Sequence, residues 1–506
     1  MREQKIIKSY SSLAIILAVV STAVGCRARS PRTSDERATP EQRRVIGAGV
    51  PYLPARATDK MALAQNMQLR REKAWDVIRE LTKEVPIAHN PGGHGSLPNA
   101  SASLPLWQTW YTGDELPVMF RSAYEKLTVD QRKIRAPICP EELDSLFEKH
   151  AQSPVLGFTP EELEQRLSQV ESLEEIRGIS GRGVTMFSPG LLRHYFENYV
   201  YVLKCEAEQA GLGPQTILSP SNHTPCFASE FPSGLDFPYK LPPSDYSRCK
   251  VPSAPGPGIN HGAAVALKTS WRKAGAGVVG KFDTDGESLT KHLTEGAWKP
   301  NSLIPAQNLK PDAIFSIKLM ASANQYNLES IHVVSKETRD WLWITLWWSP
   351  EPNLDFGEDR PAAFAGTPWA NYKMCVVTDF VEGDLDPASH YTITHPSLAR
   401  ALGASNKWAS PNTQCSNPFI EQGQGNAETN CIGCHQHAGT KANPEEIYLN
   451  DPENPRTAVS RQLYPNHSRS QVRHNFPGDY LWSFSQGPDY FESEIISTVN
   501  NVDHGI

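Results

Sequence analysis

The chain has 506 residues, a formal net charge of −7 and 21% charged residues. Its length accommodates several domains, and its hydrophobic content of 39% is that of an ordinary globular protein. The acidic balance gives no electrostatic basis for binding nucleic acid, so no nucleic-acid partner is expected. The 41 prolines indicate many irregular loops.

The first residues have the pattern of an export signal. A basic start is followed by an apolar stretch at 13–20 and then by small residues that lead up to Cys26. The stretch is too short to span a membrane, and the pattern resembles a bacterial lipoprotein signal. We therefore expect a signal peptide at 1–25 and a lipid on Cys26 that anchors the exported protein to the cell envelope, on its periplasmic side. The alternative is an ordinary signal peptide that is cleaved nearby.

A polar, Arg-, Ser- and Pro-rich stretch at 26–58 is predicted to be a flexible tether, and an α-rich region at 59–215 follows it. Apolar residues at helical spacing predict a first helix with its buried face at Leu63, Met67, Ala74, Ile78 and Leu81. A capping pattern predicts a second helix that begins at Thr159. A third helix should begin after Ser188 and end near Gly211.

Proline-rich connecting loops are expected at 216–262, and a β-rich domain at 263–385. Strand patterns occur at Ala264–Trp271, Ile314–Met320, Ile331–Val334, Trp341–Trp348 and Tyr372–Val377. The strand that carries four tryptophans, Trp341–Trp348, is apolar on both faces, which indicates a central strand whose tryptophans belong to the core. The predicted fold class is therefore α+β: an α-rich N-terminal region, an antiparallel sandwich or barrel, and a loop-rich segment at 386–506.

The last segment contains Cys431-Ile432-Gly433-Cys434-His435, which is the C-x-x-C-H pattern of c-type haem attachment. Two thiols at this spacing form thioether bonds to one haem, and the histidine that follows becomes the proximal iron ligand. A thioredoxin-like site would need a βαβ unit, and a zinc site would need a second pair of ligands. A structural disulfide would leave His435 without a role. The motif predicts covalent haem c at Cys431, Cys434 and His435.

Six further cysteines remain, an even number that suggests disulfides in an oxidising compartment. Spacing cannot fix their connectivity. Our expected pairs are Cys226 with Cys249, which bracket a Pro-rich loop, and Cys375 with Cys415.

The sequence does not determine the sixth iron ligand. No methionine follows Met374, so His/Met ligation would require Met374 or Met320 to reach over from the β-rich domain. Bis-histidine ligation could use a downstream histidine, of which the candidates are His437, His467, His474 and His504. The third alternative is an open site. Met374 is our candidate distal ligand among these.

Three segments of the β-rich domain precede the motif in a recognisable order: Leu267–Trp271, Ile331–Lys336 and Trp341–Thr345. An Asn-Thr pair at 412–413 follows them, and an Asp-aromatic segment at 479–484 follows the motif. This order resembles a group of exported bacterial proteins known as cytochrome c family proteins, over the last half of the chain. The resemblance implies covalent haem and electron transfer; it implies no substrate. The chain departs from the group's pattern after Trp347.

These patterns predict an exported, lipid-anchored monohaem c-type cytochrome that exchanges one electron with a redox protein partner. A haem enzyme of the peroxidase type, or a gas sensor, is the alternative if the distal iron site is open. A third hypothesis is a binding protein whose haem is only a relay. A strong sixth ligand favours electron transfer over catalysis.

Overall fold

The computed structural model describes residues 62–63, 66–86, 103–112, 115–139, 141–143, 146, 185–197, 199–200, 202–203, 264–275, 277–310, 312–318, 325–337, 341–378, 415–421, 427, 431, 435, 448–449, 458–459, 481 and 491–504. All statements below concern these residues.

Six α-helices have described bounds: α1 Met67–Leu81, α2 Glu115–Tyr124, α3 Val129–Lys133, α4 Pro189–Glu197, α5 Gly286–Glu295 and α6 Phe491–His504. Short 3-10 helices occur at Leu106–Thr109, Ala306–Asn308, Asp355–Gly357, Ala362–Phe364 and Pro368–Asn371. Polar side chains start several of the α-helices. The Asn66 side chain accepts a hydrogen bond from the Leu69 amide at the start of α1, and Thr128 forms a capping box with Gln131 at the start of α3.

The described strands are β1 Glu84–Pro86, β2 Ser103–Pro105, β3 Tyr111–Thr112, β4 Thr185–Phe187, β5 Val265–Lys273, β6 Val278–Lys281, β7 Ser302–Pro305, β8 Ser316–Lys318, β9 Gln325–Ser335, β10 Leu342–Trp348, β11 Tyr372–Val377, β12 Tyr448–Leu449 and β13 Ala458–Val459. Seven of them form one antiparallel sheet in the order β11-β10-β9-β5-β4-β3, with β8 paired to β9. Separate antiparallel pairs are β1 with β2, β6 with β7, and β12 with β13.

The longest strand, β9, organises the sheet. The partner along one of its edges is β5, and β8 and β10 follow one another along the other edge. Every residue of β10 is buried, as its apolar pattern predicts for a central strand. A bulge interrupts the β5–β9 register between Ser270 and Trp271.

Helix α1 packs against β11, which is the last strand at its end of the sheet. The buried Arg71 donates from Nη1 to the Met374 carbonyl oxygen at 2.6 Å and from Nη2 to the Phe356 carbonyl oxygen at 2.9 Å. The same guanidinium contacts both carboxylate oxygens of Asp359 at 2.6 Å. The helix thus satisfies a backbone acceptor at the sheet edge and covers that edge.

At the other end of the described chain, α6 packs against α2. Arg121 pairs with Glu494 at 2.6 Å, and Arg135 pairs with Asp503 at 2.6 Å. Tyr124 donates to Asp503 at 3.1 Å, so the contact combines a buried aromatic residue with charges at its rim. This contact fixes the C-terminal helix on the N-terminal helical region.

The α+β class with an antiparallel sheet is confirmed. The first predicted helix is observed as α1, which begins at Met67 rather than at Leu63 and has its apolar face buried. The helix expected after Ser188 begins at Pro189. All five strand patterns coincide with observed strands, which are β5, β8, β9, β10 and β11. The strands β3 and β4 join the same sheet although they lie in the region predicted to be α-rich; such short strands have no periodicity that a sequence reveals.

Other expectations lie outside the described residues. They concern the signal peptide at 1–25, Cys26, the tether at 26–58, the helix at Thr159, and the loops at 216–262.

Candidate functional site

A row of side chains that can form hydrogen bonds crosses the middle of the sheet. Lys268 on β5 lies opposite His332 on β9, His332 lies opposite Thr345 on β10, and Thr345 lies opposite Cys375 on β11. Directly opposed residues in neighbouring strands project from the same face of a sheet. These four residues therefore share one face, which we call the site face.

Alternation along the strands assigns the neighbouring residues to a face. Trp343 is two residues from Thr345 and lies on the site face. Met374 precedes Cys375 in β11 and lies on the opposite face, where it is paired with Leu346 and fully buried. The candidate distal ligand Met374 is therefore on the side of the sheet away from the site face. Met320 lies outside the described residues.

The segment 415–421 covers the site face, held there by covalent and polar contacts. A disulfide joins Cys375 to Cys415, as expected from the sequence. The Asn417 side chain donates to Thr345 Oγ1 at 2.6 Å and to the Leu346 carbonyl oxygen at 3.1 Å. Its Oδ1 accepts from the backbone N–H of Phe419 at 2.9 Å, so both ends of the side-chain amide have partners, and they fix the segment on β10.

A second set of contacts links this cover to the residues on either side of α5. Trp298 donates from its indole nitrogen to Ser416 Oγ at 2.9 Å, and Phe282 and Phe419 form an edge-to-face pair with centroids 5.0 Å apart. The Ala427 amide donates to the carbonyl oxygen of Gly296, the left-handed residue that ends α5. The chain is thus held at several points before it reaches the C-x-x-C-H motif.

Two members of that motif, Cys431 and His435, are described, and both are helical. The Cys431 thiol is 4% exposed, and its Sγ lies 3.9 Å from the Cys415 carbonyl oxygen. The His435 ring packs on Trp343 with centroids 4.5 Å apart. The motif therefore lies against the site face, while Cys434 is outside the described residues.

The sheet and its cover bring three potential metal ligands together. A ligand atom of His332, a carboxylate oxygen of Glu421 and Sγ of Cys431 lie within 4.8 Å of one another. His332 Nε2 is buried and has no hydrogen-bond partner among the described residues. A buried ring nitrogen without a partner costs about 1–3 kcal/mol, and a ligand at this position would offset that cost.

The charged groups of the site are affected by the same burial. Desolvation lowers the pKa of Lys268 and raises that of Glu421, and each group partly offsets the shift of the other by attraction. Hydrogen bonds from the backbone N–H of Asn417 and from the Ser416 hydroxyl also stabilise the Glu421 carboxylate. Burial, with Lys268 and His435 nearby, lowers the pKa of His332 to about 3. His332 is therefore a neutral imidazole near neutral pH, which is the form that binds metals.

Cys431 and His435 are the two described residues of the motif that would hold a c-type haem. The thiol of Cys431 would form one of the two thioether bonds, and the imidazole of His435 would be the proximal ligand. The orphaned nitrogen of His332 offers a second imidazole from the sheet. Nitrogen and sulfur donors of this kind suit iron, copper and zinc far better than magnesium or calcium.

The sequence identifies Cys431 and His435 but not their surroundings. It gives no indication that Lys268, His332 and Glu421 converge there. The one available signal is a polar residue within an apolar strand pattern, which is present at both Lys268 and His332. Of the downstream histidines, His437, His467 and His474 lie outside the described residues, and only the backbone of His504, at the end of α6, is described.

Of the remaining cysteines, Cys139 is disulfide-bonded, and the expected pair of Cys226 with Cys249 lies outside the described residues. None of the helices in the described part of the chain has the length and apolar character needed to cross a membrane. Comparison of the chain with family models, curated proteins and solved structures finds no significant match to any of them.

Proposed function

We propose that this protein is an exported monohaem c-type cytochrome that transfers single electrons to or from a redox protein partner. The observation that carries the proposal is the position of Cys431 and His435. Cys431 lies beside His332 and Glu421, and the His435 ring lies on Trp343 of the same sheet.

The residues of the site would have different roles in holding a haem. Cys431 and Cys434 anchor it covalently, and His435 supplies the proximal imidazole. When bound, the haem supplies reversible one-electron exchange at its iron. Trp343 packs on the His435 ring and limits its rotation, and the disulfide at Cys375 ties the covering segment to the sheet. These contacts limit the movement of His435 and of the covering segment, and electron transfer favours a site that changes little.

The same proposal implies that the protein is exported and held at a membrane. Covalent haem attachment by this motif takes place on exported chains, and the N-terminal pattern that ends at Cys26 provides for export and a lipid anchor. In this arrangement the lipid on Cys26 holds the protein at the membrane, and the tether at 26–58 lets the haem-bearing segment at 386–506 reach its partner. Replacing Cys26 by Ser should release the protein from the membrane fraction without changing its haem content.

The test is expression of the full chain in a bacterium that assembles c-type cytochromes. Haem that remains on the polypeptide in a denaturing gel, and one haem per chain by pyridine haemochrome, are the expected results. Redox titration should then show one reversible electron per haem. The variants Cys431→Ser and His435→Ala should lose haem attachment, whereas the neighbouring His437→Ala should not. A wild-type chain that matures without covalent haem would overturn the proposal.

A further inference from the structure

We propose that His332, Glu421 and Cys431 bind one divalent transition-metal ion of the zinc type in the chain that carries no haem. A ring nitrogen of His332, a carboxylate oxygen of Glu421 and Sγ of Cys431 lie within 4.8 Å of one another. An axial nitrogen on a haem iron and a thioether sulfur at the porphyrin edge lie farther apart than that. The three donors therefore enclose the space of a single ion, and this inference goes beyond the haem proposed above.

The size and chemistry of the donor set agree with zinc. Zinc bonds of about 2.0–2.3 Å place tetrahedral donors roughly 3.5 Å apart, so donors within 4.8 Å need to approach by little more than about 1 Å. Imidazole, carboxylate and thiolate are all zinc ligands, and zinc sites with three protein ligands complete the tetrahedron with water. The imidazole and the thiolate also disfavour magnesium and calcium, which prefer oxygen ligands.

Each donor comes from a part of the chain that is held in place. His332 lies in β9, between its paired neighbours β5 and β10. Glu421 belongs to the covering segment, which the disulfide between Cys375 and Cys415 ties to the sheet. Cys431 Sγ lies 3.9 Å from the carbonyl oxygen of Cys415. Donors that are already positioned lower the entropic cost of binding an ion.

A second observation is the ring nitrogen Nε2 of His332, which is buried and has no hydrogen-bond partner among the described residues. Burial removes its bonds to water, and an ion between the three side chains would replace them. The Glu421 carboxylate is already oriented, because it accepts a hydrogen bond from the backbone N–H of Asn417. His332 and Glu421 are only partly buried, which leaves an approach for an ion from solvent.

The charges of the site are compatible with a divalent ion. One thiolate and one carboxylate neutralise its two positive charges, which reduces the cost of burying it. Lys268, which lies opposite His332 and attracts the Glu421 carboxylate, then faces a neutral cluster rather than a bare cation. Metal binding needs the Cys431 thiolate, whereas haem attachment converts the thiol into a thioether. The ion and the haem therefore exclude one another at this sulfur.

The experiment uses the full chain produced without the cytochrome c assembly machinery, so that it carries no haem, and purified under nitrogen. After removal of metal by a chelator, wild type should bind one zinc ion per chain in competition with a chromophoric chelator. Cobalt(II), used as a probe, should give the near-ultraviolet absorption band of a thiolate ligand. The variants His332→Ala, Glu421→Gln and Cys431→Ser should each weaken zinc binding at least about tenfold, a loss that even outer-shell partners typically cause. The nearly isosteric His332→Gln should repeat this loss if His332→Ala does not fold.

Matched controls are Met374→Leu and His435→Ala, which should keep the zinc ion. In a bacterium that assembles c-type cytochromes the pattern should reverse: His332→Gln and Glu421→Gln should acquire covalent haem, whereas His435→Ala should not. Zinc binding that is absent from wild type, or equal in wild type, His332→Gln and Glu421→Gln, would overturn the metal site and leave the proposed cytochrome intact. A wild-type chain that binds zinc through these residues but never acquires haem would overturn the cytochrome and leave the metal site intact.

Discussion

Trp343 and His435 pack ring against ring, with centroids 4.5 Å apart and ring planes inclined by 50°. One of these residues lies in the central strand β10, and the other belongs to the motif nearly a hundred residues later in the chain. The tryptophan is therefore part of the core and at the same time a wall of the site. Stability and the position of the proximal imidazole depend on the same side chain.

The first prediction concerns this tryptophan. Trp343→Ala should lower the free energy of unfolding by about 3–5 kcal/mol, because it leaves a large cavity in a closely packed sheet. Trp343→Phe keeps a ring against His435 and should lower the free energy of unfolding by clearly less. Denaturant unfolding of the matured protein measures both. The control is Leu354→Ala at a site that is 52% exposed, where a change within about 0.5 kcal/mol is expected. Equal losses in Trp343→Phe and Trp343→Ala would contradict a role for ring packing.

Much of the sheet could be predicted from sequence because its strands carry a strong local signal. The apolar pattern of Trp341–Trp348 predicts a buried central strand, and β10 is buried throughout. The helix α1 was likewise predictable, since one apolar face repeats with helical period along it. The covalent motif is equally local, since its chemistry is contained in five consecutive residues.

The site could not be predicted because it depends on register between distant strands. Lys268, His332, Thr345 and Cys375 form one row only when three strand pairings are aligned, and a one-residue slip would move a residue to the other face. Adjacent residues such as Met374 and Cys375 must lie on opposite faces. The segment 415–421 covers one of these faces and so determines which face lies near the motif. No local pattern in the sequence reveals where this segment lies.

The second prediction concerns the disulfide that holds this segment. Cys375 and Cys415 are 40 residues apart, and a crosslink over that span stabilises by about 4 kcal/mol through loss of entropy in the unfolded chain. The double variant Cys375→Ser with Cys415→Ser should unfold at correspondingly lower denaturant concentration. Replacing both residues avoids a stray thiol near Cys431. An unchanged unfolding midpoint would show that the contacts of Asn417 hold the segment without the crosslink.

The third prediction concerns Arg71, the buried cation of α1. Its loss leaves the largely buried Asp359 carboxylate without its guanidinium partner, although Trp75 Nε1 still donates to it at 3.1 Å. It also removes the donor to the Met374 carbonyl group. Arg71→Ala should therefore lower the free energy of unfolding by about 3–5 kcal/mol. Arg71→Lys should restore only part of this lost free energy, because lysine lacks the planar guanidinium group that contacts both carboxylate oxygens.

The matched control lies on the same helix. Arg79 pairs with Asp76 at 2.9 Å, but about half of each side chain is exposed, at 48% and 52%. Arg79→Ala should cost no more than about 0.5 kcal/mol, since water screens such a pair. Similar effects of Arg71→Ala and Arg79→Ala in thermal or denaturant unfolding would contradict the importance of the buried contact.

The last prediction concerns Asp285, which caps the N-terminus of α5. Its side chain accepts hydrogen bonds from the Glu287 and Ser288 amides at 3.0 Å. These bonds, that of Ser288 foremost, hold the pKa of Asp285 below its ordinary value of 3.8. The ionised cap therefore contributes its full stabilisation above that pH, and loses it as the pH falls through the folded-state pKa.

Asp285→Ala should accordingly lower the free energy of unfolding by about 1 kcal/mol near neutral pH. The difference from wild type should shrink well below pH 3.8, where the carboxylate of wild type is protonated. Asp285→Asn keeps a capping oxygen that does not titrate, and should stay within a few tenths of a kcal/mol of wild type near neutral pH. Denaturant unfolding of the three proteins across this pH range measures the effect, and a penalty for Asp285→Ala that grows as the pH falls would contradict the ionised cap.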